Sequence, residues 1–135
     1  MRRQSKSFAL EKFGVYMTDL PVQNVTVPTD NRRLISAVGA EMHGDHPCVV
    51  LSVADDGRSA VVAPMTSAVD SRGGEKFLKP KKEWLRVVHQ GRASFVCVEQ
   101  IRMVDRARFV RMQEPLGSYD REQLESRIKF LFGVI

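Results

Sequence analysis

Seven basic side chains crowd one short stretch: Arg72, Lys76, Lys79, Lys81, Lys82, Arg86 and Arg92, set against Glu75 and Glu83 alone. Cations gathered this closely can hold a polyanion such as a nucleic-acid backbone. The same stretch reads equally as a solvated loop kept soluble by its lysines. Phe77 and Trp84 lie among the cations. An exposed ring there can stack on an unpaired base, whereas a buried Trp84 would fill a core. Metal and redox chemistry find little footing. Cys48 and Cys97 sit inside apolar runs, at no spacing that suits a metal or redox motif, and read as buried free thiols of a reducing compartment. His43, His46 and His89 form neither HExxH nor a zinc-spaced cluster. No metal and no cofactor is expected.

The wider charge pattern agrees with a local electrostatic role. Residues 1–67 carry seven Lys/Arg and seven Asp/Glu, while residues 68–135 carry fourteen and nine, so the second half holds the whole net charge of +5. A chain of 135 residues with 43% hydrophobic and 27% charged residues is expected to form one globular domain. Its apolar runs fall well short of the roughly 18 residues that span a bilayer. The basic start Met1-Arg2-Arg3 is not followed by the apolar stretch of a secretory leader. The expectation is a cytoplasmic protein with no membrane partner.

The elements that must position these side chains are mostly strands. Residues 1–12 read as a flexible basic arm and 13–135 as a single domain. Residues 14–21 alternate apolar and polar and close on Pro21, a strand signature. Residues 22–46, with Pro28 and several turn formers, read as a long loop carrying at most one helical turn. Strands are expected at 48–53 and 59–65, joined by an Asp-Gly turn, and at 84–89 and 93–98, joined by Gln90-Gly91-Arg92. One more is expected at 108–112. In the tail, Leu124, Ile128, Leu131 and Phe132 recur at helical spacing, with Asp120 as a natural N-cap and Gly133 where a C-cap belongs. Short strands and one terminal amphipathic helix predict a mainly β (α+β) fold, a small curved barrel with a helix packed on it.

Four stretches, in order, resemble the MazF/PemK family of toxin–antitoxin endoribonucleases. They are Gly14 to Leu20; Gly44-Asp45-His46-Pro47-Cys48-Val49-Val50-Leu51-Ser52; Val61-Val62-Ala63-Pro64-Met65-Thr66-Ser67; and Val98-Glu99-Gln100-Ile101-Arg102-Met103-Val104-Asp105-Arg106. With the helix, the likeness covers residues 13–133. It implies an SH3-like barrel of about five to seven strands, a homodimer, and metal-free cleavage of single-stranded RNA. In that reaction the ribose 2′-OH attacks the adjacent phosphate, leaving a 2′,3′-cyclic phosphate and a 5′-OH. It also implies a cognate antitoxin, whose acidic segment would fold across the RNA groove.

The same resemblance assigns the site. Thr66 and Ser67 occupy the family's Thr-Ser position, where hydroxyls can donate to a phosphate oxygen; the plainer reading is a turn cap. Glu99 matches the family's acidic residue, the general base, although a lone glutamate at a strand end also reads as solvated or ion-paired. Gln100 and Arg102 would contact RNA, or Arg102 would pair with Asp105 and pin a loop. His46 stands where most members carry arginine; an imidazole is a side chain that can serve as acid or base, or it only caps a strand. Cys97 stands where some members place a proton-donating arginine and reads as packing. The general acid is therefore unassigned, with His46 the first candidate. Lys76, Lys79, Lys81, Lys82 and Arg86 would hold phosphates without reading sequence. Two rivals share the fold: a DNA gyrase poison like CcdB, and a catalytically degenerate barrel that only binds nucleic acid or antitoxin.

Overall fold

The computed structural model describes residues 8–21 and 42–133. Seven strands form one antiparallel sheet: β1 (Val15–Leu20), β2 (Gly44–Val53), β3 (Ser59–Ser67), β4 (Trp84–His89), β5 (Arg92–Cys97), β6 (Arg102–Asp105) and β7 (Phe109–Gln113). The order is β4-β5-β3-β2-β1-β7, with β6 also paired to β3. One helix, α1 (Ser118–Phe132), closes the described chain. The mainly β architecture with a C-terminal helix is the expected one, and its sheet is open rather than closed into a ring.

β3 explains how a single sheet turns a corner. Its first half, Ser59 to Val62, pairs with β6, and its last residues, Met65 to Ser67, pair with β5. β2 runs along its other edge. A strand buried on both faces should read as an apolar run rather than an alternation, and Ala60, Val62, Ala63 and Met65 are all buried.

Two apolar clusters use the two faces. Val15, Val49, Ala63, Met65, Val87 and Val96 pack with Leu116 and Leu124 beneath α1. Tyr16, Cys48, Val50, Val62, Val104 and Phe109 form the second cluster, with Phe8 and Leu10 against it. The Tyr16 hydroxyl donates to the Ala9 carbonyl at 2.8 Å and accepts the Glu11 N–H at 2.9 Å, which ties residues 8–12 to this face. Phe13 enters β1 with a left-handed φ of 67° and donates its N–H to the Val50 carbonyl at 2.6 Å. Gly14 follows because a Cβ there would lie 2.8 Å from the Tyr16 hydroxyl oxygen.

Several local expectations change. β2 begins at Gly44, so part of the expected loop is strand; residues 22–41 lie outside the described residues. Thr66 and Ser67 are inside β3 rather than beyond it. The turn between β4 and β5 is the two-residue pair Gln90-Gly91, with φ of 53° and 74°. Positive φ at both central positions is the geometry that matches strand twist. The N-cap of α1 is Gly117, not Asp120. Asp120 lies in the first turn, and its carboxylate accepts the Val88 N–H at 3.2 Å, tying the helix to β4. Gly133 ends the helix in the left-handed conformation as expected. Leu124 is fully buried, Ile128 and Leu131 are half-buried, and Phe132 at the edge of the stripe is 56% exposed.

Candidate functional site

Register brings distant candidates into one row. Thr18 of β1 pairs with His46 of β2. The β2–β3 ladder pairs Cys48 with Pro64, so two residues further on His46 comes beside Thr66. The contact is direct at the backbone: His46 Nδ1 donates to the Met65 carbonyl at 3.2 Å. Thr66 then pairs with Phe95 of β5, and Phe95 with Arg86 of β4. Cross-strand partners project to the same face, so Thr18, His46, Thr66, Phe95 and Arg86 form a band across five strands. The Arg86 guanidinium lies over the Phe95 ring, 5.6 Å from its centroid.

The segment between β3 and β4 folds onto this band. Phe77 meets Trp84 edge-on at 4.8 Å and Phe95 at 6.1 Å, and Trp84 lies 5.3 Å from Phe95. Trp84 is half-buried: its ring packs on Phe77 and Phe95. Its indole N–H donates at 3.0 Å to the carboxylate of Glu99. Glu99 sits in a short 3-10 turn, Val98–Gln100, that ends β5. Lys81 closes on the same carboxylate at 3.0 Å. The Glu99 hydrogen bond, and then its charge, hold the Lys81 ammonium above the ordinary lysine range. Arg86 pairs with Glu75 at 3.3 Å. These ion pairs are largely exposed, so each contributes no more than about 1 kcal/mol. Lys76 lies 5.6 Å from the Phe77 ring centroid, and Lys79 and Lys82 have no ion-pair partner among the described residues.

The other candidates make contacts of their own. Ser67 Oγ donates to the Val69 carbonyl at 2.7 Å and accepts the Val69 N–H at 3.2 Å, the geometry of a turn cap. The Thr66 hydroxyl has no hydrogen-bond partner among the described residues. Gln100 and Arg102 stand apart from the band. Gln100 Oε1 accepts the Met42 N–H at 3.2 Å, and Arg102 donates to the carbonyls of Pro21 and Met42. Together they clasp the chain at both ends of residues 22–41. The Arg102–Asp105 ion pair considered from the sequence is not formed; Asp105 instead accepts the Ala107 N–H at 2.7 Å. Cys97 is fully buried, and burial, reinforced by the Glu99 charge, pushes its thiol up to about 12. Cys48 is likewise pushed up to about 12 by burial.

Sequence reasoning missed a cleft of about 410 Å³ at the end of β3. Pro47, Ser67, His89, Arg92, Ser94 and Gln113 line it, and Thr66 borders it. His89 closes the inward alternation of β4, a weak signal that was available, but Gln113 lies in a different ladder and only the fold brings the two together. Among the described residues no cluster of three or more His, Cys, Asp or Glu is arranged to hold a metal ion, and no helix is long and apolar enough to cross a membrane.

Residues 25–132 match the family model described as the PemK-like, MazF-like toxin of type II toxin–antitoxin systems. No curated protein gives a significant match. That match, over most of the chain, places the protein in the family, and the antiparallel sheet with one C-terminal helix is consistent with it. It belongs to the PemK/MazF-like toxins, the toxin half of a two-component system whose other half is a cognate antitoxin.

Proposed function

We propose that the protein is a metal-independent endoribonuclease acting on single-stranded RNA, with the band across β1, β2, β3, β5 and β4 as its working face. The observation that carries this reading is the register that seats His46 beside Thr66, with Glu99 reached through the Trp84–Phe95 contact. In this reading Glu99 accepts the 2′-OH proton as the 2′-oxygen bonds to phosphorus. The phosphorus–5′-oxygen bond then breaks, and His46 protonates the departing 5′-oxygen. His46 donates through Nδ1 to the Met65 carbonyl, which leaves Nε2 as the atom that carries the mobile proton. The Thr66 hydroxyl donates to a non-bridging oxygen as charge builds there. Ser67 shapes the strand end through its own cap. Lys81 and Arg86 exchange their carboxylate partners for RNA phosphates, and Lys76, Lys79 and Lys82 add to the same field. Exposed pairs of this kind are weak enough to be displaced. Releasing Lys81 also frees Glu99 for its proton.

The toxin would act as a cytoplasmic homodimer, silenced when an acidic antitoxin segment occupies the same cations. The test is a long unstructured RNA incubated with the protein in excess EDTA, beside Thr66→Ala and Glu99→Ala. Discrete cuts with cyclic-phosphate ends, lost in both variants, are expected. Folded protein that makes no cut at any salt concentration sinks the enzyme reading. RNA binding that persists in both variants without cleavage would then favour the degenerate barrel, to which the buried Cys97 already points. Inhibition of supercoiling would favour the gyrase poison.

A further inference from the structure

The cleft at the end of β3 has unspent hydrogen-bonding capacity. Gln113 Oε1 is buried and has no hydrogen-bond partner among the described residues. An acceptor shut away from water without a donor is destabilising, and a ligand that brings an N–H relieves it. Beside it, His89 is only 7% exposed, and its Nε2 donates to the carbonyl of Glu114, the neighbour of Gln113, at 2.8 Å. A neutral imidazole that donates through Nε2 must accept through Nδ1, and Nδ1 has no partner among the described residues. Two acceptors thus belong to residues that line one cleft. At the rim, Arg92 is exposed and carries no ion pair among the described residues, and the Ser94 hydroxyl is held only by a 3.5 Å contact to the Arg92 carbonyl.

We infer that this cleft is a subsite for one guanine nucleotide of an RNA strand, its base edge on Gln113 and His89 and its phosphate on Arg92. Guanine presents two donors side by side, N1–H and the 2-amino group. Adenine and cytosine offer an amino group next to an acceptor. Uracil offers a single N–H between two carbonyls, which would face the two acceptors unfavourably. The cleft volume of about 410 Å³ suits a base with its sugar, since small-ligand clefts run to roughly 300–1,000 Å³. Thr66 and Ser67 border the cleft, so a strand crossing the end of β3 reaches it from the working face. The inference rests on the reading of that face as an RNA site and adds a base preference to it.

The test uses 2′-O-methyl pentanucleotides, which lack the nucleophile, with a single central guanine or uracil, alongside free 5′-GMP. Binding is followed by NMR at the Gln113 side-chain amide and the His89 ring. The guanine oligonucleotide should shift both, bind roughly fivefold or more tighter than the uracil one, and bind tighter than GMP. Gln113→Leu should abolish the guanine preference. Arg92→Ala, at an exposed position, should weaken both oligonucleotides alike and keep the preference. Equal binding of the two oligonucleotides, or GMP binding with no gain from the oligonucleotide, overturns the subsite. Because no cleavage is read, a chain that cuts no RNA yet prefers guanine loses the enzyme reading and keeps this one. A chain that cuts RNA without the preference does the reverse.

Discussion

The end of β3 separates two polar regions that are built in opposite ways. On the working face the carboxylates already have mates: Glu99 holds Lys81 and the Trp84 N–H, and Glu75 holds Arg86. In the cleft, a carbonyl oxygen is buried with none. Paired, exposed groups favour no single partner strongly, because water and salt screen them. They suit a polyanion bound for its charge. An orphaned acceptor favours one kind of visitor, because only a donor in the right place relieves it. On the proposed reading, one short strand end thus separates holding an RNA from choosing where to hold it.

The largest expected effects come from the chemistry of the working face. Thr66→Ala and Glu99→Ala should each lower the cleavage rate by about 10²–10⁴ with the fold intact by circular dichroism. Full activity in Glu99→Ala would show that the carboxylate only anchors Trp84 and Lys81. The buried thiols give the next effect. Unfolded thiols ionise near 9.0 while Cys48 and Cys97 keep their protons up to about 12. The folded chain therefore holds more protons between those values, and stability should be unaffected below pH 9 and fall as pH rises towards 12. Urea titrations across that range measure it, the two thiols together amounting to on the order of several kcal/mol by the upper limit. A flat profile would mean that the thiols are reached by water.

Phe77→Ala removes the edge-on contacts that seat the β3–β4 segment on Trp84 and Phe95. It should destabilise the protein by about 1–3 kcal/mol in the same titration. The smallest effects belong to Lys81→Ala and Arg86→Ala. Each should change stability by less than about 1 kcal/mol, yet each should reduce the slope of log affinity for RNA against log salt by about 1. An unchanged slope would place the RNA elsewhere and erase the contrast between the two regions.

Much of the frame is legible in the residues themselves. The alternation in 84–89 gave β4 its limits, and the spacing of Leu124, Ile128 and Leu131 gave the helix its inner stripe. β6 escaped because four residues, only one of them buried, carry too little periodicity to stand out. Asp120 looked like a cap because local pattern ignores the Val88 N–H, which sits on another element and claims its carboxylate. The site divides in the same way. Residue types near Thr66, His46 and Glu99 could be read from motifs, but their adjacency depends on ladder register, which single-sequence patterns do not encode. Glu99 meets Lys81 and Trp84 across 18 and 15 residues. Gln113 and His89 come from different ladders, so nothing local could announce the cleft.

Trp84 is the sole tryptophan of the chain, and its indole N–H rests on the Glu99 carboxylate. The protein therefore carries an intrinsic optical probe hydrogen-bonded to the carboxylate proposed as its proton acceptor. Whatever draws Lys81 away or rearranges Glu99, whether a nucleic acid or an antitoxin peptide, alters the polarity around that one fluorophore. Emission from unlabelled protein can then follow occupancy of the working face in real time, with no second indole to blur the signal.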